Sequence, residues 1–297
     1  MKSKNFFKSI LLVLGISLLT VLCLHFSFPE AKAQLASTSS VAAAAKKNIH
    51  YTAVGDSLTE GVGDTLKSGG FVPLVAQALE EDYPVQSVEI DNYGVSGDRS
   101  DQILKRIKQD EKLQEDVTSA DIITLTVGGN DIMKVIKNNV FGLKTSSFKR
   151  PMKNYQAHLT EIFKQMRSLN KTAPIYVVGV YNPFYINFPD ITEMQTIIEN
   201  WDDATKKVIS QESNAYFVAI NDTISKGTED SNALHVTEDS TDNDGDLNTV
   251  RNKALYEEDN FHPNTTGYQL MTREIMQVIK KSPDVWLEKG SASDAGK

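Results

Sequence analysis

Ser57 lies in the stretch Gly55-Asp56-Ser57-Leu58-Thr59-Glu60-Gly61, and far downstream Asp259-Asn260-Phe261-His262-Pro263-Asn264 carries an imidazole just after a carboxylate. Two further stretches, Asn92-Tyr93-Gly94-Val95-Ser96-Gly97-Asp98 and Gly128-Gly129-Asn130-Asp131, combine glycines with one presented polar side chain. Glycine is the residue of choice where backbone must come close to a ligand. A serine hydroxyl is a weak nucleophile until a neighbouring imidazole removes its proton. The imidazole in turn needs an acceptor on its other nitrogen to fix its tautomer. Asp259, three residues before His262, can fold back in one turn to supply it. A developing oxyanion needs donors already in place, and the N–H groups of Ser57 and Gly97 with the Asn130 amide could provide three. Together these parts make up the chemistry of acyl transfer.

Such groups act only if regular structure holds them, and the pattern between them is regular. Apolar, β-branched runs bounded by Gly, Asn, Asp or Pro predict strands at 49–55, 86–92, 122–127, 175–180 and 216–220. Amphipathic stretches predict helices at 71–81, 100–114, 149–169, 192–212 and 265–279. In the third of these, Tyr155, Leu159, Ile162, Phe163, Met166 and Leu169 recur at helical steps and read as core. Alternating strands and helices imply a parallel α/β sheet with helices on both faces. Ligands of such sheets bind beyond the C-terminal ends of the strands, and the three Gly-rich stretches directly follow the first three predicted strands.

Taken together, the four stretches resemble the GDSL, or SGNH, family of esterases and lipases. Gly55–Leu58, Gly97, Gly128–Asp131 and Asp259–Pro263 occur in the family's order and at its spacing, and the resemblance runs from about residue 49 to 279. It implies a flavodoxin-like three-layer α/β/α sandwich with a five-stranded parallel sheet. It also implies Ser57 as nucleophile, His262 as general base, Asp259 as the third triad member, and Ser57, Gly97 and Asn130 as the oxyanion hole. The second block offers both Gly94 and Gly97, and Gly97 is selected by the Ser-Gly-Asp that follows the strand. The elbow Gly-x-Ser-x-Gly is absent, which disfavours the common α/β-hydrolase fold.

Several other features bear on substrate and location. The aromatic segment 181–189, after the fourth strand, could line an acyl pocket through Phe184, Tyr185 and Phe188, or cap the core. Asp56 and Asp131 read as structural groups bonding local backbone, and His50, His158 and His235 lack a constellation. In the acidic stretch 228–246, Asp242-Asn243-Asp244-Gly245-Asp246 faintly resembles a calcium loop, but Arg251 stands where the closing glutamate belongs. A solvated loop is expected there, with no metal site. No nucleotide-binding glycine motif is present, so no cofactor is expected.

With 297 residues, 40% hydrophobic, the chain can bury a full core; its net charge of −8 argues against a nucleic-acid partner. Lys2, Lys4 and Lys8 precede an apolar run over residues 10–28, followed by Ala31-Lys32-Ala33, a pattern of the kind signal peptidase cuts. Residues 1–33 are therefore expected to be a signal peptide, or a membrane anchor if uncleaved, with an Ala/Ser/Thr/Lys linker over 34–47. The hydrolase domain is expected over 48–283 and a frayed tail over 284–297. Cys23, the single cysteine, lies in the apolar run and allows no internal disulfide. The chain is thus expected outside the cytoplasm, secreted or held at the membrane's outer face. Its expected partner is a small-molecule, lipid or glycan ester. An O-acetyl esterase of envelope glycans and a non-catalytic glycan- or lipid-binding protein are the alternatives.

Overall fold

A computed structural model describes residues 48–138, 144–186, 192–226 and 252–287. The expected signal segment and linker, Phe188, His235 and the acidic stretch 228–246 lie outside the described residues. Five strands form one sheet: β1 (Asn48–Gly55), β2 (Ser87–Gly94), β3 (Ile122–Thr126), β4 (Ile175–Val178) and β5 (Ala215–Val218). All neighbours are parallel and the order is β2-β1-β3-β4-β5. Each strand begins and ends within two residues of its expected limits. β3 and β4 are buried at every position, as strands covered on both faces must be, whereas the edge strand β2 is not.

The helices are α1 (Ser57–Glu60), α2 (Phe71–Asp82), α3 (Ser100–Gln109), α4 (Glu111–Ser119), α5 (Gly129–Asn138), α6 (Lys149–Leu169), α7 (Thr192–Ile209), α8 (Asn221–Ser225) and α9 (Thr265–Ile279). Alternation along the strands divides the core in two. Val54, Ile123, Leu125 and Val177 face a cluster that includes Ile103, Leu113, Phe163 and Trp201 of α3, α4, α6 and α7. Tyr51, Ala53, Tyr176 and Val218 face the opposite cluster, with Phe71 and Leu79 of α2 and Met271 and Ile275 of α9. The result is the expected three-layer α/β/α sandwich. Each fully buried large apolar side chain contributes roughly 1.5–3 kcal/mol.

Three expectations are corrected. The single helix over 100–114 is two, because Asp110 leaves helical geometry and its carboxylate caps α4 by accepting from Leu113 N–H at 3.1 Å. The helix from residue 192 stops at Ile209 rather than 212. The chain does not fray at 284: Pro283–Val285 forms a 3₁₀ turn and Trp286 is fully buried, edge-on to Tyr83 at 4.8 Å. The packed domain therefore extends past 283.

Candidate active site

The strand order sets β2, β1 and β3 side by side, so the three Gly-rich stretches that follow them share one edge of the sheet. Ser57 opens the one-turn helix α1 directly beyond β1 and is 5% exposed. Asp56 caps that helix: its Oδ1 accepts Leu58 N–H at 3.1 Å and the Thr126 hydroxyl of β3 at 2.8 Å. Burial pushes the Asp56 carboxyl above its ordinary range, against the pull of those two bonds. Gly55 must be glycine, since a Cβ there would overlap Thr126.

Asp259 and His262 lie in the loop before α9. Asn260, at φ 50°, takes the left-handed conformation that lets the loop double back. Asp259 Oδ1 then accepts the N–H groups of Phe261 (2.8 Å) and His262 (3.0 Å), while Oδ2 lies 2.6 Å from His262 Nδ1. Partial burial opposes ionisation of Asp259, but the ring and the two N–H groups outweigh it and hold the carboxyl below its usual range. His262 Nε2 is 3.0 Å from Ser57 Oγ, across 205 positions of sequence. With a carboxylate on Nδ1, that nitrogen carries the proton and Nε2 presents its lone pair to the serine hydroxyl. The buried Tyr181 hydroxyl donates to Phe261 O at 2.6 Å and braces the loop from below.

Asn130 stands in the first turn of α5, and both it and Ser57 line one cavity. Its Nδ2 donates one proton to Asp98 O at 3.0 Å and keeps the other. Gly128 before it has φ 111°, and a Cβ there would lie 2.7 Å from the Trp201 indole nitrogen. Gly97, at φ 83°, lies on the exposed turn next to Asp98 and is not part of the cavity wall. Among the described residues the N–H groups of Ser57 and Gly97 have no acceptor, whereas Gly94 N–H is donated to Asn92 Oδ1 at 2.9 Å. Gly97 is thus the glycine of this block with a donor to spare.

The cavity is small, about 50 Å³, opens to solvent at its mouth and is mainly apolar. Of the aromatic residues expected there, Phe184 lines it. Tyr185 does not: its ring lies under the Lys226 ammonium at 5.5 Å. Ile132, Met133 and Ile136 of α5 and Met194 and Ile198 of α7 supply apolar wall beside Phe184.

Residues not singled out from sequence hold the site together. Arg106 of α3 donates to Asp98 Oδ2 (2.7 Å), Tyr93 O (3.0 Å) and Gly55 O (2.8 Å), tying the ends of β1 and β2 to the Gly97 turn. Asp131 does not bond local backbone as expected; it accepts the N–H and hydroxyl of Ser100 at 2.9 and 2.7 Å, and Ser100 Oγ also contacts His158 Nδ1 at 2.9 Å. Asp202, pushed up to about 7 by burial, accepts Val180 N–H at 2.9 Å and fixes the chain leaving β4. An acidic residue directly after a tryptophan is the only sequence signal for it. Among the described residues, no group of three His, Cys, Asp or Glu side chains could hold a metal ion.

Residues 53–270 match the sequence model of the GDSL-like lipase/acylhydrolase family. The chain is similar to the uncharacterised protein YpmR of Bacillus subtilis (strain 168), 34% identical over 236 residues, covering 80% of this chain and 83% of that one. It is also similar to the spore germination lipase LipC of Bacillus licheniformis, 27% identical and covering 76% and 94% of the two chains. Solved structures with the same fold include the lipase Lip_vut3 from goat rumen metagenome (TM-score 0.61, 23% identity, 77% and 96% covered). Another is the acetylxylan esterase Axe2 from Geobacillus stearothermophilus (TM-score 0.53, 19% identity, 79% and 93% covered). The fold, the four motif stretches and this match lead to one assignment: the chain belongs to the GDSL-like lipase/acylhydrolase family and is a carboxylic ester hydrolase.

Proposed function

We propose that this protein is an extracytoplasmic serine esterase acting on esters with an extended acyl chain. The observation that carries the catalytic reading is the unbroken hydrogen-bonded series Asp259–His262–Ser57, at 2.6 and 3.0 Å. In this reading Ser57 Oγ attacks the acyl carbon while His262 Nε2 takes its proton. The tetrahedral oxyanion is met by the N–H groups of Ser57 and Gly97 and the free proton of Asn130 Nδ2, each donor contributing about 3 kcal/mol to the barrier reduction. His262 returns the proton to the leaving alcohol as the C–O bond breaks. A water molecule then gives its proton to His262 and attacks the acyl-serine, releasing the acid and restoring Ser57. These side chains handle every proton, and the scheme calls on no metal or cofactor.

The test is intact-mass analysis after treatment with a fluorophosphonate. One adduct located on Ser57, and none in His262→Ala, is the expected result. A folded wild-type protein that takes up no adduct would bring forward the alternative of a non-catalytic glycan- or lipid-binding protein.

The apolar lining of the cavity supports a lipid-like acyl group over the acetyl group of a modified sugar, because Ile132, Met133, Ile136, Met194 and Ile198 offer an acyl chain apolar contact and offer a sugar hydroxyl no side-chain partner. Each methylene buried there is worth about 0.8 kcal/mol. Ile198→Trp, at a buried position on the cavity wall, is expected to lower the octanoate-to-acetate ratio of kcat/KM about tenfold, equivalent to roughly two methylenes. The check is a p-nitrophenyl ester series. A wild-type enzyme fastest on acetate and indifferent to Ile198→Trp would instead favour an O-acetyl esterase of envelope glycans.

The extracytoplasmic placement is supported by the basic, apolar and Ala-Lys-Ala pattern of residues 1–33. Mass spectrometry of the mature N-terminus distinguishes secretion from anchorage: a chain starting near Gln34 is a cleaved export product.

A further inference from the structure

The direct link between Ser57 and His262 is one hydrogen bond joining two loops far apart in sequence. A single such bond contributes only about 1 kcal/mol net, too little to fix an imidazole against loop motion. A second connection runs through the segment that follows the nucleophile. The N–H groups of Gly61 and Val62 both donate to Ser57 O at 3.0 Å, so this segment starts from the serine itself. Two residues later the backbone reaches the histidine: Gly63 has φ 89°, and a Cβ on it would lie 2.6 Å from Pro263 O and 2.9 Å from His262 Cβ.

Asp64, 8% exposed, makes the junction. Its Oδ1 accepts the Thr265 hydroxyl (2.5 Å) and Leu66 N–H (3.2 Å); its Oδ2 accepts Ser68 N–H (2.7 Å) and Gly70 N–H (3.2 Å). Thr265 is the first residue of α9 and lies three positions after His262. Its oxygen is bonded back by Leu66 N–H (3.2 Å) and meets the Thr65 hydroxyl (2.8 Å). One carboxylate thus closes the loop on itself and clamps it to the start of the helix that carries the histidine loop. Burial works against its charge, yet the Thr265 hydroxyl and the three N–H groups hold the carboxyl below its ordinary range.

We propose that Asp64 is a positioning residue for His262, setting the imidazole within reach of Ser57 through its bond to Thr265. This rests on Ser57 and His262 acting as nucleophile and base. Misplacing a catalytic group by about 1 Å can cost on the order of 100-fold in rate, and nothing in the clamp touches the acyl cavity, so the loss falls on kcat rather than KM.

The experiment uses the full chain and measures the rate of fluorophosphonate labelling, with kcat and KM on a short ester, well below the melting temperature. Asp64→Asn and Thr265→Val are expected to slow labelling and kcat by about 30–100-fold, with KM within twofold. Thr265→Ser, which keeps the hydroxyl, is expected to label at close to the wild-type rate. A folded Asp64→Asn that labels at the wild-type rate, or that changes KM alone, overturns the proposal. If Asp64→Asn does not fold, Thr265→Val decides, since it removes the contacts of the Thr265 hydroxyl and leaves the three N–H bonds of Asp64 within the loop. A wild-type protein that takes no label overturns the assignment of Ser57 instead, and so the two failures are distinct.

Discussion

Replacing Ser57 by alanine is expected to lower kcat for ester hydrolysis by about 10⁶-fold with KM almost unchanged. The His262→Ala variant should lose about as much, and the double variant little more than either. The reason lies in the single bond between them: in the proposed mechanism Ser57 Oγ and His262 Nε2, 3.0 Å apart, perform one step together. A serine without its base is an ordinary alcohol, and a base without its serine has no proton to take. What survives is stabilisation by the Asn130 amide and the free backbone donors, on the order of 10³–10⁴ over water. Steady-state kinetics on purified single and double variants make the check. If the two losses multiplied, the residues would be acting independently and the concerted reading would be wrong.

Asp259→Asn should cost about 10⁴ in kcat while leaving the protein folded. The asparagine oxygen can still accept the N–H groups of Phe261 and His262, so the loop keeps its turn. Its NH₂, however, would face Nδ1 and donate to it, which moves the ring proton to Nε2 and directs a donor at Ser57. The chemistry fails for want of the right tautomer, not for want of structure. The pH profile carries a second signature. The wild-type carboxyl lies below the usual range, so its stabilising contribution is present above the ordinary carboxylate value and is lost only as pH falls through the lowered one. The kcat/KM profile of the wild-type enzyme should therefore show no loss attributable to Asp259 at the ordinary carboxylate value, since that group is still charged there. Substantial activity at neutral pH in Asp259→Asn would show that the carboxylate is dispensable.

Both effects are local, yet each depends on the sheet. Ser57, Gly97 and Asn130 follow three strands that are first, second and third in the chain but lie in the order β2-β1-β3. This puts Ser57 between the stretches that carry Gly97 and Asn130. Arg106 keeps the arrangement tight by binding carbonyls of β1 and β2 together with Asp98. Such a clamp is invisible in sequence, where an arginine on a helix reads as a solvated charge.

Much of this protein could be read without coordinates. The five strands, the helices α2, α6 and α9, and the four motif stretches follow from residue type and spacing, because hydrophobic period and turn chemistry act over a few neighbouring residues. The pairing of Asp259 with His262 is equally local, three positions apart. What stayed hidden depended on distant neighbours. The helix α5 begins at Gly129 and Asn130, poor helix formers, and is helical because Ile132 and Val135 are drawn into the core. The walls of the apolar cavity stayed hidden with it, and the aromatic loop does not reveal that Phe184 lines the cavity while Tyr185 meets Lys226. Trp286 looked like part of a tail until Tyr83, two hundred positions earlier, supplied the surface it packs on. The sequence by itself determined which groups could carry out acyl transfer and which strands bear them. Only the tertiary structure decided that Ser57 and His262 meet at 3.0 Å, that Gly97 and not Gly94 keeps a free N–H, and that Asp64 joins the two loops. The first and the last are contacts between residues some two hundred positions apart, set by strand order and close packing and written in no one segment; the second turns on how the chain leaving β2 folds Asn92 back onto Gly94.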